Sequence, residues 1–447
     1  MRHKSRIALS SRLHSVSGRI WCALVGAALA CIWMHAAHAT TELVLARAEM
    51  PLNGPWSFRF GNDARWALPA FDDREWERVD LTPEPGAHDG DVGLPGYVPG
   101  WTSRGHSGQW GHAWYRLRVR WTVPTGSAPV LIGPTLVDSA YEVYWNGRKV
   151  GGIGKFSETP PRVFGIRPQL IPLGETASAG EGVLAIHVYL PRESVGDTEA
   201  GGMHVAPILA EPTAAAARYQ VQWWQTFWGY VVDLLEPLAL LALALFALAL
   251  RRFAHNERFL LLAAAAVSAI AASRINQPLF YWTEAESLQA IIVARYVIFN
   301  PLAIVLWLLA CYRLARVRER RLDIATCLLG MVAGLAALPG FELPSVQAGA
   351  RAMLLALFGL SCVGIVRYGH LRPLALLATL VMGVALFPGE LSALGLPGIW
   401  FPFGVGVSRT QYALALEIPL LACFMYLHAS TIAAAASTGL SAPASAA

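Results

Sequence analysis

The sequence predicts a mixed fold: an N-terminal all-β sandwich followed by a bundle of seven transmembrane helices. Three observations predict it. Between Trp223 and His428 lie seven apolar stretches, each roughly long enough to cover the ~30 Å hydrocarbon core of a bilayer. The turns between those stretches alternate between arginine-rich and acidic. Upstream, the apolar runs are short, alternate with polar residues and are punctuated by Gly, Pro and Asn-Gly. The bulk numbers agree with such a division. Of 447 residues, 55% are hydrophobic and only 15% charged, and mean hydropathy is +0.43.

Residues 1–39 read as a signal peptide. Arg2, His3, Lys4, Arg6, Arg12 and Arg19 form a basic start, Ile20 to Met34 an apolar centre, and Ala37-His38-Ala39 a small-x-small cleavage site. An uncleaved anchor is the alternative, and both put residue 40 onward outside the cytoplasm. The apolar Ile32-Trp33-Met34 that follows Cys31 argues against a lipoprotein site.

Residues 40–217 form the expected periplasmic β-sandwich. Tyr115 to Trp121 alternates strictly, as a half-buried strand does. Val130-Leu131-Ile132, Tyr141 to Trp145 and Val183 to Leu190 are further strands, and Asn146-Gly147 is a hairpin turn signal. None of the six cysteines (Cys22, Cys31, Cys311, Cys327, Cys362, Cys423) lies in this stretch, and no CxxC pair occurs. The domain is expected to hold together by its core, without disulfide or cysteine-bound metal.

Spans are predicted near 228–250, 259–282, 290–312, 324–338, 347–366, 374–391 and 411–428. Arg251, Arg252, His255 and Arg258 follow the first. Arg313, Arg316, Arg318, Arg320 and Arg321 follow the third, and Arg367, His370 and Arg372 the fifth. The intervening turns carry Glu284, Glu286, Glu342 and Glu390, with a single Arg409. Arginine-rich turns stay in the cytoplasm, which puts the sandwich outside the cytoplasm and the C-terminus inside. Topology thus accounts for the formal net charge of +5, which is no argument for nucleic-acid binding, although anionic lipid heads are natural neighbours. Trp223, Trp224, Trp228 and Tyr230 read as an interfacial belt, with Glu211 to Arg218 as a short linker above it. Residues 429–447, rich in Ala, Ser and Pro, are expected to be a disordered cytoplasmic tail.

Three runs carry a resemblance: Phe71-Asp72-Asp73-Arg74-Glu75-Trp76, Trp114-Tyr115-Arg116, and Ala140 to Gly147 with its Asn146-Gly147 end. Together they resemble the sugar-binding jelly roll, a galactose-binding-like fold, of glycoside hydrolase family two. This implies an accessory lectin-like domain over most of residues 50–192 and no enzyme, because the catalytic barrel and its two carboxylates have no counterpart. A jelly roll followed by seven spans resembles the bacterial seven-transmembrane receptors with diverse intracellular signalling modules. That resemblance implies a receptor that senses a periplasmic ligand, here a small molecule or carbohydrate. Its output would be a histidine kinase, cyclase or phosphatase. The chain departs from the pattern after His428, where no output domain follows, so a separate partner is expected. A truncated receptor and a transporter or membrane enzyme with a lectin-like cap are the alternatives. No cofactor is expected.

The long segment from Gly96 to Tyr115 offers aromatic faces to stack on a ring and polar groups to bind hydroxyls. The expected ligand-binding residues are Trp101, Arg104, His106, Trp110, Arg116 and Asn146. His106 and His112 are six residues apart with no third ligand nearby, so no metal site is expected. Asp72-Asp73 reads as a turn rather than a catalytic pair. In the spans, Asp233, Glu236, Arg295, Asn300 and Glu417 form a candidate polar switch. Arg274 or Arg295 could pair with Asp233, Glu236 or Glu417, while Arg274 and Glu390 could instead reach the span ends by snorkelling.

Overall fold

The computed structural model describes residues 49–88, 95–122, 128–134, 136–174, 179–192, 199–254, 257–341, 343–369, 371–396, 399–403 and 405–437. The expected signal peptide lies outside these residues, as do His255, Glu342 and His370.

Two antiparallel sheets share one core. The larger runs β3 (Glu77–Val79), β2 (Trp56–Phe60), β4 (Gly111–Thr122), β10 (Ala179–Leu190), β7 (Ala140–Trp145), β8 (Arg148–Ile153). The smaller runs β1 (Glu49–Pro51), β12 (Ile208–Ala210), β5 (Val130–Ile132), β9 (Leu170–Pro172). A short pair, β6 (Val137–Asp138) with β11 (Gly202–Met203), stands apart. Side chains alternate across a strand. Tyr115 and Val119 of β4 and Leu184, Ile186 and Val188 of β10 therefore turn together toward Leu131, Ile171 and Leu209 of the smaller sheet. Asn146 and Gly147 have φ of 49° and 82°, and this pair of left-handed residues makes the tight turn joining β7 to β8.

The face of β4 expected to be wet is dry at its start. Trp114 and Arg116 are each 1% exposed, beneath a segment that carries Trp66, Phe71 and Trp76. A two-residue period reports the pleat of a strand. It does not report a loop 50 residues upstream folding over it.

Eight helices follow among the described residues: α1 (Pro212–Phe253), α2 (Arg258–Trp282), α3 (Leu288–Leu314), α4 (Arg320–Leu335), α5 (Pro344–Tyr368), α6 (Arg372–Leu386), α7 (Pro388–Ala393) and α8 (Arg409–Ser437). Five of them, α1, α2, α3, α5 and α8, are long and apolar enough to cross a membrane. The other two predicted spans are shorter: α4 has 16 residues and α6 has 15, ~24 Å or less at 1.5 Å per residue. Polarity is arranged inside out. Leu245 and Leu360 are each 68% exposed, whereas Glu417 is 0% exposed and Asp233 4%. That is the distribution for a bundle bathed in hydrocarbon.

Two expected boundaries move. The linker between Glu211 and Arg218 is absent: α1 starts at Pro212, where the fixed φ of proline suits a first turn, and continues through four alanines at 214–217. The helical part thus begins at 212 rather than 218. The tail expected to be disordered from 429 is helical as far as Ser437, because alanine-rich sequence propagates a helix already formed. A hairpin not read from the sequence, β13 (Ile399–Phe403) and β14 (Val405–Ser408), leads into α8.

The β domain sits directly on the helix ends. Ala215 of α1 is buried among Val130, Ile132, Ile208 and Ala210. The Leu288 N–H at the start of α3 donates to the Val163 carbonyl at 2.9 Å. Arg218 pairs with Glu49 at 3.0 Å, and Arg167 pairs with Glu284 in the turn between α2 and α3.

Candidate functional site

Where β domain and helices meet, a cavity of about 890 Å³ opens. The β domain contributes Trp110 and His112, where β4 begins, and Tyr189 and Arg192, where β10 ends. The helical part contributes Gln289 from the first turn of α3 and Pro339, Gly340, Phe341 and Leu343 from the connection between α4 and α5. Trp110 is 50% exposed and Phe341 62% exposed. Junctions between domains are common homes for ligand pockets, and this one joins aromatic faces to a few polar groups.

His112 connects the cavity to a buried polar chain on the outer face of the larger sheet. His112 Nδ1 lies 3.0 Å from His187 Nε2. The His187 ring stacks on Trp114 with centroids 4.3 Å apart, and its Nδ1 is 3.7 Å from Glu142 Oε2. Tyr144 Oη donates to the same oxygen at 2.8 Å, and Lys149 donates to Oε1. Burial works against ionising Glu142, but hydrogen bonds from His187, Lys149 and Tyr144 outweigh it and hold the carboxyl at about 2. Burial, with the neighbouring His187, pushes His112 down to about 4. The Glu142 carboxylate favours a proton on His187 Nδ1, which leaves His187 Nε2 to accept from His112 Nδ1–H. His112 Nε2, an acceptor in that tautomer, is then the ring nitrogen left for a ligand hydroxyl.

Of the six residues expected to bind ligand, the structure places one, Trp110, on this cavity. Trp101 is 2% exposed and packs on Phe58 and Phe60 in the core, its indole N–H donating to the Gln109 carbonyl at 3.2 Å. Arg104 ties down backbone, donating to the carbonyls of Pro99 (2.9 Å) and Asp80 (3.0 Å). His106 pairs with Glu77 at 2.8 Å. Arg116 donates to the carbonyls of Trp66, Leu68 (3.2 Å) and Phe71 (3.3 Å) and lies 3.4 Å from Asp73. Asn146 accepts from the Val183 N–H at 2.8 Å and fixes the hairpin against β10. None of these five lines the junction cavity: Trp101 and Arg116 are buried in the fold, a correction to the expectation, whereas Arg104 lines a separate cavity of about 520 Å³ with Tyr97 and Glu199. Asp72 caps the Arg74 N–H at 3.2 Å, as expected of a turn.

In the helical part, the polar residues divide. Arg274, 8% exposed, pairs with Asp233 and lies 3.5 Å from Glu236. Gln411 of α8 adds a 3.2 Å hydrogen bond to Asp233. This overturns snorkelling for Arg274. Glu390, just past the end of α6, pairs with Arg351 through both carboxylate oxygens. Ser273 donates to Asn300 Oδ1 at 2.6 Å. Arg295 bonds Gln277 and lies over Tyr296, 5.5 Å from the ring centroid. Glu417 meets none of these: neither carboxylate oxygen has a hydrogen-bond partner among the described residues. Sequence reading missed Arg351 and Gln411, and it missed the His112–His187–Glu142 chain. Both histidines lie on long strands, so antiparallel register between those strands was the available signal.

No protein-family model and no curated protein matches the chain. Solved structures similar to part of it include a β-glucuronidase from Bacteroides uniformis, 19% identical over 36% of this chain and 18% of that one, with a TM-score of 0.26. A β-glycosidase from Bacteroides vulgatus is 16% identical over 36% and 20%, with a TM-score of 0.25. A β-glucuronidase from Faecalibacterium prausnitzii is 14% identical over 37% and 31%, with a TM-score of 0.24. The chain spans about a fifth of the length of the first of these, and so partial a likeness transfers no activity.

Proposed function

We propose that this chain is a receptor-like signal-transduction protein of a bacterial inner membrane. In this reading the β domain is a periplasmic jelly roll, all seven apolar helices cross the bilayer, and the chain binds and transmits rather than catalyses. The ligand is a small polyhydroxylated molecule of the carbohydrate class, held in the junction cavity. Trp110 stacks on an apolar ring face, and His112, Arg192 and Gln289 bond hydroxyls.

The observation that carries this reading is the divided wall of the cavity, with Trp110 and His112 on the β domain and Gln289 and Phe341 on helix ends. A ligand touching both has an affinity that depends on how the two halves sit. Only such differential affinity lets binding shift a conformational equilibrium. Gln289 adjoins Leu288, whose backbone is bonded to the β domain, so α3 is the natural carrier of the change. The far ends of the helices hold Arg251, Arg252, Arg313, Arg316 and Arg367, consistent with a cytoplasmic face for a kinase, cyclase or phosphatase partner.

The test is binding of a glycan panel to the full chain in nanodiscs. Trp110→Ala should weaken the binding glycan at least tenfold, since one lost stacking face is worth about 1.4 kcal/mol or more. Trp101→Ala should act instead by lowering stability. Full-strength binding by Trp110→Ala, or reporter tags placing the β domain in the cytoplasm, would overturn the assignment.

A further inference from the structure

A second cavity, of about 460 Å³, lies within the helices, and three guanidinium groups line it: Arg274, Arg295 and Arg351. Two have counter-ions. Arg274 has Asp233 and Glu236, and Arg351 has Glu390. Arg295 has none in contact: among the described residues no carboxylate lies within salt-bridge distance of it, and Asp233, whose charge it feels, is held by Arg274. Its bonded partner is the neutral amide of Gln277, and its Nε, shut off from solvent, has no hydrogen-bond partner among the described residues. A half-buried cation in a bundle with no carboxylate in contact is costly, and such groups ordinarily pair or face a wet path.

The backbone at this place is unusual for an independent reason. Val293–Phe299, which carries Arg295, is a π-helical turn inside an otherwise α-helical segment. Such turns are rare and frequently sit at functional sites. Gln347 and Thr410, from α5 and α8, bring further hydrogen-bonding groups to the same wall.

We propose that this cavity binds a small anion, a carboxylate or phosphate group, in direct contact with Arg295. The planar fork of a guanidinium matches either group with two parallel hydrogen bonds. The volume suits a small molecule or a lipid headgroup. The site stands apart from the junction cavity, so it does not depend on the ligand assigned there.

The probes are inorganic phosphate and succinate, added at constant ionic strength to the full chain in phosphatidylcholine nanodiscs, with thermal unfolding as the readout. A parallel sample carries phosphatidylglycerol and no added anion. Wild type should be stabilised saturably by a soluble anion, or by phosphatidylglycerol alone if the anion is a lipid head. Arg295→Gln should weaken that response at least tenfold, and Trp110→Ala should leave it unchanged. The Gln347 side chain makes no hydrogen bond among the described residues, so Gln347→Glu breaks no contact while it places a carboxylate on the cavity wall. It should abolish the response while the protein still folds, which covers the case of a poorly folding Arg295 variant. Equal responses from wild type and both cavity variants, or no response from wild type to either probe or to phosphatidylglycerol, would overturn the proposal.

Discussion

The two halves of this chain bury charge in opposite ways. In the β domain, each buried charge has several partners, although Arg116 Nε itself makes no hydrogen bond among the described residues. Arg116 reaches three carbonyls and Asp73, and Glu142 collects Lys149, Tyr144 and His187. In the helical half, pairing is incomplete. Arg295 has no carboxylate in contact among the described residues, and Glu417 and Glu236 have carboxylate oxygens without hydrogen bonds there. Charges with several partners fix one arrangement, because any movement breaks several bonds together. Undersatisfied charges lose little when they move, and they gain when a partner arrives. A charged residue is therefore informative about function in inverse proportion to how well its own fold satisfies it.

The largest expected effect tests the β domain. Arg116→Met removes the cation beneath the Trp66–Trp76 segment and leaves three carbonyls and Asp73 without their donor. A buried pair broken on one side costs ~3–5 kcal/mol. Hydrogen exchange on the full chain should show β4 and the 64–76 segment losing protection. Unchanged exchange would mean that the aromatic packing of Trp66, Phe71 and Trp76 alone holds the segment, and that multiple pairing is decoration there.

What could be read from the sequence follows the range of the interaction. Asn146-Gly147, the strands β4, β7 and β10, and the apolar helices are set by local pattern, and they fall where pattern puts them. Arg274 as a partner of Asp233 was also legible, because ionisable groups in apolar segments have few other choices. The ligand residues were not. Trp101, Arg104 and Arg116 have the composition of a binding loop, and composition does not say whether an aromatic ring faces a cavity or the core. His112 and His187 are 75 residues apart and meet only through strand pairing. The π turn at Arg295 and the Arg351–Glu390 pair, 39 residues apart, likewise have no local signature.

Acid should separate the two charge types within the β domain. His112 titrates near 4 in the folded chain, below the ordinary 6.5. As pH falls from about 6.5, the unfolded imidazole takes a proton that the folded one refuses. Stability should therefore drop until about pH 4 and level off, by on the order of 2 kcal/mol after partial solvent screening. Glu142, held at about 2 against an ordinary 4.5, gives stability that is complete above 4.5 and lost as pH falls from there toward 2. Exchange at β10 should thus show a first acid loss that His112→Phe removes and a second, below pH 4.5, that it leaves. A single loss untouched by His112→Phe would detach His112 from the buried chain.

The smallest expected effect is the most discriminating for the helical half. Glu417 is fully buried in α8, two residues before Pro419, and its carboxylate oxygens bond nothing among the described residues. Glu417→Gln keeps the shape and removes no hydrogen bond, so melting in nanodiscs should change by less than ~1 kcal/mol. Asp233→Asn takes the nearer of two counter-ions from Arg274 and leaves Glu236, while the new amide can still meet Gln411, and should cost more, on the order of 2–3 kcal/mol. If Glu417→Gln proved as damaging as Asp233→Asn, Glu417 would have a partner as firm as Arg274, and incomplete pairing would no longer distinguish helices from sheet. If it is as mild as expected while Asp233→Asn is not, the helical half itself contains both kinds of charge. The boundary between fixed and movable parts then runs through the bundle, between the Arg274 cluster and Glu417, and not along the junction with the β domain.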